Sequence, residues 1–472
     1  MSTTTPEEHT AASNATVQEP TIEEAIEFSR INTPLKVVIG SSFVLRIAGA
    51  CTAILLASYL RQVVDAGTDL IGILSALFYL TELTLAPVFG ALSDLRGRRF
   101  ILILGPLVGA LTLPIYPLSA AVPIAAVGVL ILAVARLLEG ISTAAKVPSA
   151  LGYLADATAG EGPKATALRG RVMGFYEISF LIGLVGGTVI GGALWQAVGS
   201  AGFFLVSLFY LIATAMLFFF VPETLPAEAR KHAELTRAKI GDAAHPVRAL
   251  LKSRLKAYAE LLKEPALRSF VPAWLAINAV VGLFGNLIQP IMIRPKTGQI
   301  SPFPDQILDG KFSSSDVGFM FGGFGLVFMV GIFLWSLTYG RIRKTDTMLA
   351  AIVGLFLVCA MLFMINNLGG ENPGLMWMLL PLLAIGIFLV SGFTPVALAY
   401  LAEISGARVE HRGVVMGLYS VFLGIGQLVG SGGGGFFVKA LGQGFNGLVI
   451  GTVLLAIVAL VAVVWLRKGH GV

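Results

Sequence analysis

Long apolar runs separated by short polar joints dominate the chain from residue 36 to residue 466. Twelve runs stand out, at about 36–60, 70–92, 100–119, 124–153, 172–197, 201–221, 268–292, 315–338, 347–366, 374–402, 413–437 and 445–466. A helix needs about 20 apolar residues to cross a bilayer core of roughly 30 Å, and these runs have that length. Barrel strands would be about 10 residues long and alternate in polarity. The runs are instead apolar on every side, so the pattern predicts helices. The expected fold class is all-α and integral to the membrane, with twelve transmembrane helices.

Polar stretches divide the chain further. Residues 1–33 form an acidic tail that carries Glu7, Glu8, Glu19, Glu23, Glu24 and Glu27. The tail lacks a basic start followed by an apolar stretch, so it is not a signal peptide. It reads as a disordered cytoplasmic tail, with one short surface helix at 21–30. A first six-helix bundle spans 34–221. A polar linker follows at 222–267, amphipathic over about 246–264. A second six-helix bundle spans 268–467, and 468–472 is a short C-terminus. The longest outer loop is 293–314.

Composition sharpens this picture. Only 13% of residues are charged and 56% are hydrophobic, against about 25% charged in soluble domains. Of the 33 Lys and Arg residues, 25 fall in parts that share a side with the N-terminus, and 5 fall in the loops between. Basic residues collect on the cytoplasmic side, so both termini are expected there, in a plasma membrane. The net charge of +6 is then a topology signal and implies no nucleic acid. Cys51 and Cys359 both lie inside apolar runs, which excludes a disulfide framework or a cysteine metal site. The five histidines all fall outside the runs. No nucleophile–base pair, metal-ligand set or nucleotide-binding GxxxxGK[ST] loop occurs, so neither an enzyme nor an ATP-driven pump is expected, and no cofactor.

The halves repeat each other. Pro148-Ser-Ala-Leu-Gly-Tyr-Leu-Ala-Asp156 matches Pro395-Val-Ala-Leu-Ala-Tyr-Leu-Ala-Glu403, and Arg169-Gly-Arg-Val-Met-Gly-Phe-Tyr176 matches Arg412-Gly-Val-Val-Met-Gly-Leu-Tyr419. Spans 4–5 and 10–11 are therefore equivalent, and the two bundles are pseudo-symmetric. Internal repeats of this kind mark secondary transporters, whose substrate site lies near the midplane between the halves.

Residues 90–99, Gly-Ala-Leu-Ser-Asp-Leu-Arg-Gly-Arg-Arg, resemble the loop 2–3 signature of the major facilitator superfamily. Residues 136–140, Arg-Leu-Leu-Glu-Gly, resemble its fourth-helix motif, with Glu139 where Gln is commoner. The glycine run Gly183 to Gly192 resembles the superfamily's helix-5 motif without its usual proline, and Val221-Pro-Glu-Thr224 resembles a common ending of helix 6. The resemblance covers about residues 36–467. It implies a conformational latch at the cytoplasmic ends, built on Gly90, Asp94, Gly97, Arg98, Asp156 and Arg171. In that latch Asp94 faces the start of helix 11, and Arg98 pairs with Asp156. A weaker counterpart in the second half would use Glu403, Arg341 or Arg343, and Arg412. The glycines of helices 5 and 11 (Gly426, Gly430 and Gly432 to Gly435) read as close-packing surfaces that let the halves slide.

Ionisable groups within spans cost free energy and usually face a cavity or a partner. Six stand out, all in the first half: Arg46, Glu82, Arg136, Glu139, Lys146 and Glu177. Arg136 and Glu139 are three apart and can pair; Lys146 is seven beyond Glu139, on the same face. The resemblance implies that helices 1 and 4 line the translocation path. Glu82, Glu139 and Glu177 are the candidates for proton coupling. Arg46, Arg136 and Lys146 are the candidates for substrate binding, joined from the second half by Asn278, Asn286, Gln289 and Gln427, with Thr394, Trp274, Phe393 and Trp377 nearby. One charged wall and one apolar wall would suit an amphiphile. The leading expectation is proton-coupled efflux of an amphiphilic or drug-like solute by a monomer in the lipid bilayer. Proton-coupled import of a sugar or organic anion is the alternative, and a non-transporting receptor or scaffold of the same fold is the alternative of another class.

Overall fold

A computed structural model describes residues 32–158, 163–224, 262–337, 341–370, 373–406 and 412–470. Residues 1–31 of the acidic tail and 246–261 of the amphipathic stretch of the linker lie outside these residues. The described residues form twelve helical spans. They are α1 Thr33–Gln62, α2 Thr68–Arg96, α3 (Arg98–Thr112 continued by Ile115–Ala121), α4 Ala125–Ala157, α5 Pro163–Val198 and α6 Gly202–Phe220. The second half holds α7 Pro265–Met292, α8 Ser314–Leu337, α9 Lys344–Leu368, α10 (Pro373–Ser391 continued by Phe393–Gly406), α11 Arg412–Leu441 and α12 Gly444–His470. Each apolar run of the sequence corresponds to one span. Eleven stretches are long and apolar enough to cross a membrane, and one of them, Leu168–Phe220, carries α5 and α6 together. Among the described residues the only extended pairing is a single bridge between Ile293 and Phe312.

Three details depart from the apolar pattern. α5 begins at Pro163 rather than near 172. Hydropathy marks only the apolar stretch, whereas the polar turns from Lys164 to Arg171 continue the helix beyond it. Proline suits such a first position, because the missing N–H is one that a helix start leaves unpaired anyway. α3 is interrupted around Leu113 and Pro114, where a ring without an N–H cannot carry the hydrogen-bond ladder. α10 is interrupted at Gly392, just before Pro395. Its repeat counterpart Pro148 sits inside an unbroken α4. The difference lies in Gly392, where a Cβ would meet the Trp335 indole, which donates from Nε1 to the Phe388 carbonyl at 3.0 Å.

The duplication visible in the sequence is also a packing rule. Within the first half α1 packs on α5 and α3 on α6, and their counterparts α7 on α11 and α9 on α12 do the same. Across the halves the main pairs are α2 with α11 and α5 with α8, which exchange with each other under the repeat. Glycines permit these close approaches, but they divide by face. Gly183, Gly187 and Gly191 lie against α1 in their own half, and Gly426, Gly430 and Gly434 lie against α7 in theirs. Gly192 meets Ser314 and Ser315 of α8, and Gly435 meets Thr68 and Gly72 of α2. The expected sliding surface is therefore confined to a few of the glycines, and the rest fix helix pairs inside a half.

The start of α1 at Thr33 and the end of α12 at His470 lie at one face, here called the terminal face, because an even number of spans separates them.

Candidate functional site

Arg136 and Glu139 occupy one face of α4, one turn apart, as their spacing predicts. Arg136 Nη1 donates to Glu139 Oε2 at 2.6 Å, with side-chain exposures of only 8% and 16%. The same carboxylate oxygen accepts from Tyr116 Oη at 2.5 Å. Tyr116 arrives there because the break after Pro114 starts a new helical piece; its ring is fully buried and stacks on Phe203, centroids 5.1 Å apart. Arg136 is held on its far side as well. Its Nε donates to the Leu74 carbonyl of α2 at 3.1 Å, and its guanidinium carbon lies 4.6 Å from the Phe78 ring centroid. A carboxylate in so dry a place needs such partners, because an unpaired charge there would cost several kcal/mol.

This cluster borders a cavity of about 320 Å³. Arg46, Arg136, Glu139 and Lys146 line it, together with Asn286 and Gln289 of α7. The remaining wall is largely aromatic and aliphatic, with Phe78, Tyr79, Tyr176, Phe180 and Tyr210 among its members. Arg46 stacks on Phe180, guanidinium carbon to ring centroid 3.9 Å. Lys146 Nζ lies 4.9 Å from the Tyr210 centroid and 3.4 Å from its hydroxyl oxygen. Asn286 Nδ2 donates to Tyr79 Oη at 3.3 Å and to the Gly282 carbonyl at 2.8 Å, which links α7 to α2 across the halves.

Other expected site residues lie off the cavity wall. Glu82 is half-buried on α2 and is acted on electrostatically by Lys146, Arg46 and Arg136, without lining the cavity. Glu177 is exposed on α5, and of the cavity cations only Arg46 acts on it. Asn278 is buried and spends its amide on the Trp274 carbonyl of its own helix, at 2.8 Å. Gln427 is half-buried where α11 meets Gly282 of α7, and it is absent from the wall. Trp274 and Phe393 stack on each other in the core of the second half, centroids 6.2 Å apart. Trp377 is 72% exposed on the outer surface of its helix.

The charge is one-sided at the level of the repeat. Applying the offset that aligns Pro148 with Pro395, the counterparts of Arg136, Glu139 and Lys146 are Leu383, Gly386 and Phe393. One copy of the duplicated unit carries the charges, and the other has apolar residues or glycine in their place. Sequence reasoning missed the aromatic partners. A signal existed, since six of the ten tyrosines fall within first-half spans, and a buried tyrosine hydroxyl requires a hydrogen-bond partner.

At the terminal face Arg98 Nε donates to Asp156 Oδ2 at 2.9 Å, the pairing that the resemblance implied. Gly152 makes room for that guanidinium, because a Cβ there would sit 2.8 Å from Arg98 Nη1. Glu223, in the Val-Pro-Glu-Thr stretch after α6, accepts from the backbone N–H groups of Arg98 (2.9 Å) and Arg99 (3.1 Å). A carboxylate thus caps the start of α3, where free N–H groups and the helix dipole favour negative charge. Gly97 adopts φ +109° beside it. Gly90 lies near Pro148 of α4, Arg171 is half-buried on α5, and Arg341 is exposed. The side chains of Asp94, Glu403 and Arg412 lie outside the described residues, and with them the second latch. In the second half the corresponding corner holds Arg467 Nη2 against Asp346 Oδ1 at 3.1 Å.

The opposite face is tied across the halves. Lys439 Nζ meets Asp69 Oδ2 at 2.6 Å, and Thr68 Oγ1 donates to the Gly435 carbonyl at 3.1 Å. Ser58 Oγ donates to Ser314 Oγ at 2.7 Å, and Gln299 Nε2 donates to Asp65 Oδ2 at 3.0 Å. Leu60, Ile71 and Pro290 are lining residues close to that end of their helices.

The family model described as Major Facilitator Superfamily matches residues 38–296 and 283–471. Among curated proteins, the class C tetracycline resistance protein of Escherichia coli is 36% identical over 165 residues, covering 34% of this chain and 38% of that protein. Multidrug resistance protein 2 of Bacillus subtilis (strain 168) is 30% identical over 159 residues, covering 34% of this chain and 36% of that protein. The chain thus aligns with little more than a third of the length of these relatives. Among solved structures, the nucleoside transporter NupG superposes with a TM-score of 0.68 at 15% identity, covering 93% of this chain and 99% of that one. An inward-open xylose transporter, XylE from E. coli, superposes with a TM-score of 0.60 at 15% identity, covering 93% and 95%. These two likenesses show the fold.

Proposed function

The chain belongs to the major facilitator superfamily of membrane transporters, and on that premise we propose that it expels an amphiphilic, drug-like compound across the plasma membrane in exchange for protons. The observation that carries this reading is the Arg136–Glu139 pair on the cavity wall, backed from outside the wall by Tyr116. Arg136 and Glu139 share α4, so rocking of the halves carries the pair as one body and turns its carboxylate toward water on one side and then the other, where it can take up and release a proton. Glu139 is thus the proposed proton carrier, with Glu82 as an electrostatic neighbour. Both termini are assigned to the cytoplasm, because Lys and Arg concentrate on their side. The contacts at the opposite face then close the outside, and the cavity belongs to a state that faces inward. Similarity to tetracycline and multidrug resistance proteins supports export over import.

The test is transport in proteoliposomes under an imposed pH gradient. Glu139→Gln should fold and bind substrate but lose gradient-driven movement. Wild-type accumulation by this variant would remove Glu139 from the coupling path. The sign of the gradient that drives uptake into the vesicles distinguishes exchange from cotransport.

A further inference from the structure

We infer that the cavity selects an organic anion, a ring system bearing a carboxylate, and discriminates against cations and neutral molecules of the same shape. The inference rests on the reading that this cavity is the substrate site. Three cations line the cavity against one carboxylate. That carboxylate is already committed, since Glu139 is satisfied by Arg136 and Tyr116, and Arg136 is anchored to the Leu74 carbonyl. This leaves Arg46 and Lys146. Among the described residues neither has a carboxylate within ion-pair distance. Arg46 has the Phe180 face and Lys146 has the Tyr210 ring and hydroxyl. The two act on each other as like charges, and Glu82 reaches both only from off the wall.

Two positive groups aimed at one low-dielectric space make it costly for a third cation to enter and favourable for an anion. Arg46 offers a planar fork that suits a carboxylate, and Lys146 offers a point charge. The surrounding Phe180, Tyr176, Phe78 and Tyr210 supply flat apolar faces for the remainder of the ligand. The Asn286 and Gln289 amides add polar contacts at the α7 wall. The volume, about 320 Å³, lies at the small end of the roughly 300–1,000 Å³ typical of small-molecule sites. A compact aromatic acid therefore fits the space better than a large macrocycle.

The experiment uses three probes of one shape on the purified full-length protein: a naphthoate, its neutral naphthamide, and the corresponding aminomethyl cation. Ligands that bind the folded state raise its apparent stability by mass action. Naphthoate should raise the melting temperature in a dose-dependent way, the amide much less, and the cation not at all. Lys146→Gln and Arg46→Gln should each weaken naphthoate binding about tenfold or more. Lys146→Arg and Arg46→Lys retain charge, guard against misfolding, and should recover most of the affinity. Equal or better binding of the amide or cation, indifference of naphthoate to both Gln variants, or no binding by any probe would overturn the assignment. The two readings fail separately. If the cation is bound and moved by a pH gradient, the anion preference falls and the transporter reading stands. If naphthoate binds through Arg46 and Lys146 but no gradient moves it, the anion site stands and the proton-exchange reading falls.

Discussion

The ammonium of Lys439 on α11 lies 2.6 Å from the Asp69 carboxylate at the start of α2, which makes this pair a bolt between the two halves at the face opposite the termini. It sits beside the Thr68 to Gly435 hydrogen bond, so one corner carries both a charge pair and a backbone contact. Lys439 is 61% exposed, and exposed ion pairs contribute about 0.2–1 kcal/mol. The bolt therefore biases the equilibrium between states without fixing it.

Lys439→Ala or Asp69→Asn should shift the population toward the state open at that face by up to about fivefold, the equivalent of about 1 kcal/mol. Labelling rates of a cysteine placed in the cavity, compared with and without the bolt mutation, measure this shift. Unchanged labelling would mean that the remaining hydrogen bonds and helix packing hold the face closed without the ion pair.

Glu223 receives two backbone N–H groups of α3, and losing such a cap typically costs about 0.5–2 kcal/mol. Glu223→Ala should lower the melting temperature accordingly, and Glu223→Gln, which keeps an acceptor but loses the charge, should cost less. Gly97→Ala should be worse than Glu223→Gln. Its φ of +109° disfavours a side chain, and the added Cβ would collide with the same carboxylate. If thermal melts rank the three variants otherwise, the cap is not the main role of Glu223.

The fold was largely legible because hydropathy reports burial in lipid directly, and because duplication shows itself as repeated residues such as Tyr153 and Tyr400. Arg98 with Asp156, and Arg136 with Glu139, were legible for different reasons: the first through a family signature, the second through helical spacing. Tyr116 and Glu223 were not. Both reach their partners only after tertiary packing, across 23 and 124–125 positions of chain, and no local period encodes that. Asn278 and Gln427 looked like cavity residues because polar groups in apolar helices are few. A polar side chain can instead turn back on its own helix, as Asn278 does.

Arg136 and Glu139 should behave as one unit in a double-mutant cycle. Removing one partner of a buried pair typically costs about 3–5 kcal/mol, because the other charge is left stranded. Arg136→Gln alone should therefore destabilise severely. Glu139→Gln alone should cost less, because the amide oxygen still accepts and Arg136 keeps the Leu74 carbonyl. The double variant should be more stable than Arg136→Gln and still lack coupled transport. Additive melting-temperature losses would show that the two charges stabilise the fold independently.

Asp309 gives the loop 293–313 between α7 and α8 a pH dependence. Its carboxylate accepts from Ser301 Oγ at 2.5 Å and from the Phe445 backbone N–H at 3.1 Å. Burial nonetheless pushes its pKa above the ordinary 3.8, against those lowering bonds. The folded protein thus holds this proton more tightly than the unfolded chain. Its contribution to stability is complete below about pH 3.8 and is lost as pH rises through the raised value. Compared with Asp309→Asn, the wild type should lose melting temperature on going from acidic to neutral pH. Parallel curves for the two proteins would assign the loop's pH response to another group.

Glycines that look alike in the sequence should separate by what they pack against. Gly430 meets the Ala279 backbone of α7, inside the second half, whereas Gly435 meets Thr68 of α2, across the halves. A methyl group at Gly430 has only backbone to push against, so Gly430→Ala should reduce stability and leave the balance of open and closed states alone. A methyl group at Gly435 pushes on the partner half, which can move away as a rigid body. Gly435→Ala should therefore cost less stability and favour opening at the face bolted by Lys439 and Asp69. Melting temperatures and cavity-cysteine labelling on the two variants test this together. A shift in labelling at Gly430, or none at Gly435, would mean that the halves do not move as units along α2 and α11.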